Sequence, residues 1–273
     1  MVNKIASNDT MLSRAKSYLY LFWLLIRTEL VILRQVFLGQ LVNILFWSGS
    51  IVVVSAYILP KLGMTDKFGE FIVISCIAAN SFWGIWDSSY KIIEDIETKK
   101  VIDYKLTLPL PSWMVMLHYA VGHSVVKFLP SLIVLPVFKL VLGSRMDLSH
   151  FSFFKFAAMF MTISLFTGFF FLLVSSFIRH SYKIENVGIR LLFPLWFFGA
   201  TQYSWSVMNA VNSTVARIIL LNPLVYAMEG IHAAVSGQQG YLSFWFCMGV
   251  LWVWIIVCGF IAVKRFKKRL DFV

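Results

Sequence analysis

Between Asp87 and Pro111, two apolar stretches long enough to cross a bilayer are separated by the run DSSYKIIEDIETKKVIDYKLTLPLP. It holds Asp87, Glu94, Asp95, Glu97 and Asp103, five of the chain's 13 acidic residues, and Lys91, Lys99, Lys100 and Lys105. Each charge placed mid-bilayer costs about 2.5–3.5 kcal/mol on insertion scales, so this run belongs in water as a loop or surface helix. The flanking stretches set the opposite demand. The chain is 59% hydrophobic and 14% charged, against about 45–50% and about 25% in soluble domains. It reads as an all-α integral membrane protein, and the charged run is its longest link in water.

Residues 1–36 have basic residues before the apolar run Tyr18–Ile26, as a leader would, but no small-x-small site follows, and Arg27, Glu29 and Arg34 come next. Nine apolar residues rise only about 13 Å as helix, too little for a core of about 30 Å. Basic, aromatic and apolar residues mixed in this way predict an amphipathic helix lying in the membrane interface. Six spans are then expected. The first covers about Phe37–Leu59 and is closed by Pro60-Lys61-Leu62-Gly63; the second covers Phe71–Trp86. The third, Met114–Leu142, contains Pro130 and Pro136 and is expected to be kinked or broken. The fourth is Phe153–Ile178, the fifth Leu191–Val207 and the sixth Tyr241–Val263. Residues 208–240, with Asn222-Pro223 and a Gly-Gln-Gln-Gly turn, are too interrupted for a simple span and predict short outer-face or re-entrant helices.

Charge sets the orientation. With the N-terminus inside, segments 1–36, 87–113, 179–190 and 264–273 hold 17 of the 24 Lys and Arg residues, and the outside segments hold five. Both termini and both charged loops are therefore expected in the cytoplasm. The same clustering at span ends accounts for the net charge of +11 without nucleic acid. The expected division is a tail and interfacial helix at 1–36, one six-helix transmembrane domain at 37–263, and a basic tail at 264–273.

Residues able to carry chemistry are few. The chain has no phosphate loop of the G-x-x-x-x-G-K-[ST] type, no H-E-x-x-H and no G-x-S-x-G. Cys76, Cys247 and Cys258 lie in apolar runs without metal-ligand spacing. His118 and His123, five apart, do not stack on one helical face and read as packing residues. Asn212-Ser213-Thr214 fits a glycosylation tripeptide that is common by chance. Lys127, near the middle of the third span, must face protein or water. It either lines a path for an anionic or lipid-phosphate cargo, or it pairs with carbonyls freed by Pro130 or snorkels. In the charged run, Ile92, Ile93 and Ile96 alternate with Glu94, Asp95 and Glu97, giving an amphipathic turn or two that Pro109 and Pro111 end. A passive link between neighbouring spans would be about 2–8 residues, so the length of this one points to docking on something in the cytoplasm.

Six spans, an interfacial N-terminal helix and a long link between spans two and three resemble the membrane subunits of type-2 ABC exporters. In that family the link carries an acid, Gly-Thr-Leu-Glu, an apolar pair and Thr-x-Pro. Here Glu97 stands for the first acid, Asp103 for the second, Leu106 for one of the apolar pair and Pro109 for the proline, while Lys100-Val101 replaces Gly-Thr. Before the last span, Asn222-Pro223-Leu224-Val225-Tyr226-Ala227-Met228-Glu229-Gly230 resembles the family's Asn-Pro-Leu-x-Tyr-x-x-Glu signature, with His232 where arginine is common. The resemblance implies a separate cytoplasmic ATP-binding-cassette ATPase that holds ATP and Mg, with no cofactor on this chain. Two copies of the chain would form the pathway among the membrane lipids. It also implies a coupling helix within 87–105, so that Ile93, Glu94, Ile96, Glu97, Asp103 and Pro109 would face the ATPase. Cargo would be a lipid, a lipid-linked glycan or a hydrophobic drug. A secondary transporter or channel would instead show paired intramembrane charges or internal repeats, and a membrane transferase would show a polar cluster at a span's end. A membrane anchor or assembly subunit without transport of its own would leave the same sequence pattern.

Overall fold

The computed structural model describes the backbone of residues 2–270 and the side chains of residues 15–269, and among these residues there is no strand. Helix α1 (Val2–Val53) runs 52 residues without a break, then tightens through a π-helical turn at Val54–Ile58 and a 3-10 turn at Leu59–Leu62. The expected boundary near residue 36, between an interfacial helix and the first span, has no counterpart. The first proline of the chain is Pro60, so no residue before it removes a donor from the helical ladder. The end comes where the sequence predicts it, with Gly63 in the left-handed region at φ 97°.

Helix α2 (Phe68–Glu94) continues through a π-helical turn at Asp95–Lys99, well past the predicted end at Trp86. The first half of the charged run is thus not a loop but the projecting end of a membrane helix. Lys100 takes a left-handed conformation, φ 53° and ψ 26°. The chain then turns into the short helix α3 (Val101–Leu106), and Pro111 opens α4 (Ser112–Ser131). The expected break at the prolines is present: α4 contains Pro130, and after Leu132-Ile133 the chain resumes as α5 (Val134–Leu142).

Helix α6 (Phe153–Phe177) is the axis of the fold and packs against α2, α4 and the two later helices α11 (Pro223–Val235) and α12 (Phe244–Leu270). Where it crosses α4, a Cβ on Gly168 would run into the Ala120 carbonyl and the Ser124 hydroxyl. The crossing therefore needs glycine, as close helix contacts in membranes commonly do.

The expected fifth span is not a single helix. After α6 come α7 (Ile184–Val187), a π-helical turn at Gly188–Leu192 and α8 (Phe193–Phe197). Together they rise only about 21 Å. The apolar run then turns at Phe198–Ser204, where Ala200 has φ 58° and the Thr201 hydroxyl donates to the Trp196 carbonyl at 3.0 Å. Ser204 caps α9 (Trp205–Val211), Asn212 caps α10 (Ser213–Ile219) and Asn222 caps α11. Local capping hydrogen bonds thus override the hydropathy that suggested one long span. Among the described residues five helices are long and apolar enough to cross a membrane; α10 and α11, bent by 99°, make a sixth if they count as one span.

Hydrogen bonds tie the loops into two groups, one at each end of the bundle. At one end, Glu97 meets His180 and Ser181, and Arg269 donates to the carbonyls of Ile178 and Arg179 at 2.7 and 3.0 Å. At the other, Arg145 donates to the Ala56 carbonyl, the Asp147 N–H to Glu70 and the Ser152 N–H to the Ala234 carbonyl. These are the groupings the charge count predicts.

Candidate functional site

The projecting end of α2 and helix α3 form a braced corner. Six residues are too few for a helix to hold itself in water, and α3 is held by Asp95. Asp95 Oδ1 accepts the Val101 N–H at 3.1 Å and Oδ2 the Ile102 N–H at 2.9 Å. That satisfies two of the free donors at the N-terminus of α3 with a charge-assisted bond each. Beneath it, Ile92, Ile93 and Ile102 are buried in the core of the bundle.

Glu97 braces the same corner sideways. Its carboxylate lies 3.0 Å from His180 Nδ1 and accepts the Ser181 N–H at 3.2 Å. Hydrogen bonding from Ser181, helped by His180, holds this carboxyl below its ordinary range.

The six residues proposed from sequence therefore divide. Ile93 is fully buried, and Ile96 is half-buried against the core, so both anchor the corner. Glu94 pairs with Lys99 at 3.0 Å, Glu97 is the brace, Asp103 is half-buried and Pro109 is exposed. The outward surface is made by residues that the acid-centred reading passed over. Val101 is 44% and Tyr104 68% exposed, three residues apart on α3. Two apolar side chains at helical spacing inside a charged run were the available signal.

At the opposite end, the signature residues of 222–230 tie the short helices together. Asn222 accepts the Leu224 N–H at 3.0 Å and donates to the Leu195 carbonyl at 2.6 Å, and Pro223 occupies the first turn of α11. The Tyr226 hydroxyl donates to the Leu220 carbonyl at 2.9 Å. Glu229, 1% exposed, accepts the Trp205 N–H at 2.6 Å and the Leu242 N–H at 2.8 Å. One carboxylate thus joins α9, α11 and the loop before α12.

Lys127 lies in a cavity of about 400 Å³ between α1, α2 and α4, with Gln40, Asn43, Asn80 and Asp87 along its walls. Its ammonium is 3.9 Å from Asp87 Oδ2, so its charged partner is that carboxylate at the end of span two. A Cβ on Gly84 would lie 2.5 Å from Lys127 Cε, so the lysine stem crosses α2 over a glycine. Of the two histidines, His118 faces Glu29 at 3.1 Å, and His123 faces Ser88 at 2.7 Å. They turn to different helices, as their spacing predicts. All three thiols are buried.

No curated protein matches the chain. The profile of the ABC-2 type transporter family, however, matches residues 20–235. That segment contains the braced corner, the lysine cavity and the Asn222–Glu229 knot. The chain belongs to the ABC-2 type transporter family and is a multi-pass membrane permease subunit.

Proposed function

We propose that this chain is the permease of an ATP-driven exporter of the cell membrane. It would pair with a second copy of itself and be driven by a separate cytoplasmic ATP-binding-cassette ATPase. The observation that carries the reading is α3. An apolar face formed by Val101 and Tyr104 stands exposed in a water-facing, charged corner, yet two carboxylates hold that corner rigid. A surface so placed suits a partner that must push without the helix unwinding. The charge count supports a cytoplasmic position for this end and for both termini. Gln40, Asn43, Asn80 and Lys127 line a polar cavity within otherwise apolar spans, which supports a path for a cargo with a polar or anionic head, such as a lipid or lipid-linked glycan. A hydrophobic drug has less use for these groups.

The test is co-purification of the chain with the ATPase before and after V101D combined with Y104A. Losing exposed apolar anchors of this kind costs an interface about 1–2 kcal/mol each, enough to weaken retention at least about tenfold. Unchanged retention would remove the docking role of α3. Cargo movement by the purified chain in liposomes without ATP would replace the whole reading with a secondary transporter.

A further inference from the structure

A second cavity, of about 250 Å³, lies at the docking corner among α1, α2, α3, α4 and α6. Lys91, Lys99, Lys105 and Tyr119 border it, and Val126 and Phe171 supply an apolar wall. Its carboxylates are already engaged. Glu29 faces His118 at 3.1 Å, and both oxygens of Asp95 cap α3. Of the cations, Lys99 is paired with Glu94 at 3.0 Å. Lys91 and Lys105 have no ion-pair partner among the described residues, and the Lys105 ammonium sits 4.5 Å above the Tyr119 ring. The Tyr119 hydroxyl is buried without a hydrogen-bond partner. Buried polar groups are almost always satisfied, so an orphan hydroxyl in a cavity bordered by two lysines that make no ion pair calls for an acceptor, although Glu29 and Asp95 already act on these groups. Burial also pushes Lys105 toward its neutral form against the pull of Glu29 and Asp95, and a further anion in the cavity would offset more of that cost.

We propose that this cavity binds a phosphate group. Two ammonium groups and one phenol suit an anion with several acceptor oxygens, because lysine recognises phosphate as a point charge and needs no planar fork. The phosphate comes from one of two sources, a phospholipid headgroup or free phosphate in the cytosol. The apolar wall of Val126 and Phe171 suits the glycerol end of a lipid. Bound there, the phosphate would join α2 and α4 to α3 and so stiffen the corner. Val101 of the docking face also lines this cavity, but the test of the site involves neither the ATPase nor transport.

The purified full chain in detergent is melted with dioleoylphosphatidylglycerol, with dioleoylglycerol, which lacks the phosphate, and with inorganic phosphate. The expected result is a rise in Tm of about 3 °C or more with the phospholipid and none with dioleoylglycerol. Protection by inorganic phosphate as well identifies the free anion as a source; protection by the phospholipid alone identifies the lipid. In K91Q/K105Q the apparent affinity falls at least tenfold, while K264Q/K267Q, which removes the same charge elsewhere, keeps it. If the double variant fails to fold, Y119F and K91Q alone are each expected to weaken binding severalfold. Equal protection by dioleoylglycerol, or equal loss in K264Q/K267Q, overturns the site. So does wild-type affinity in K91Q/K105Q, or in Y119F and K91Q together.

Discussion

Single carboxylates do much of the holding in this protein, and they are not interchangeable. Glu229 is almost completely buried and spends one oxygen on the Trp205 N–H and the other on the Leu242 N–H. Glu229→Ala leaves two buried donors unpaired, at about 1–3 kcal/mol each. Glu229→Gln keeps one acceptor and turns the other into a clashing donor, so it is expected to lose about half as much. Melting temperatures in detergent should fall in the order wild type, Gln, Ala; equal stability of Ala and wild type would refute the knot. Glu97, exposed at the projecting end of α2, behaves differently. Its carboxyl is held below the usual value near 4.5 by Ser181 and His180. A depressed folded pKa stabilises the protein above the unfolded value, and that share is lost as pH falls through the folded pKa. The Tm difference between wild type and Glu97→Gln is therefore expected to be present at about pH 5 and to shrink as the pH falls below about 4.5. Exposure keeps the effect within about 1 kcal/mol.

At the scale of elements, Asp95 shows what a sequence hides. In the charged run it looks like one acid among five, yet both its oxygens cap a helix that begins six residues later. No local pattern announces such a cap, because the left-handed Lys100 that brings the two together is not a residue type that marks turns. Asp95→Ala is expected to cost about 1–2 kcal/mol locally, seen as faster amide exchange confined to residues 101–106, with α12 unchanged. Other elements were legible for physical reasons. Pro60 with Gly63, and Pro130, act through backbone geometry that no context cancels, so the end of the first span and the break in the third were read correctly. The fifth span was misread because it opens on the unbroken apolar run Leu191–Ala200, whereas Thr201, Ser204 and Asn212 decide its conformation through hydrogen bonds that hydropathy does not record. The signature around Asn222 was legible as a motif, but its work as a knot was not, since its partners Leu195, Trp205 and Leu242 are distant in sequence.

For the whole molecule, the count of Lys and Arg sorted the loops into two sets, and hydrogen bonds join members of each set at opposite ends of the bundle. Charge could do this because it is read segment by segment, with no knowledge of packing. The sequence could not reveal that α1 has no joint. An interfacial helix followed by a span would absorb motion at the bend between them, as two links of a chain do. A single rod instead converts a sideways shift at one end into tilt along its whole length. With the Glu29–His118 contact as fulcrum, the arm toward Val53 is about 36 Å and the arm toward Ala15 about 21 Å. A displacement of the shorter arm would thus be magnified nearly twofold at the end of the longer one. Val36 is exposed, so Val36→Pro inserts a hinge, at about 3 kcal/mol, with little loss of packing. Spin labels on the two arms should then move independently where in the wild type they move together. In this design the gearing of the permease is the stiffness of its first helix.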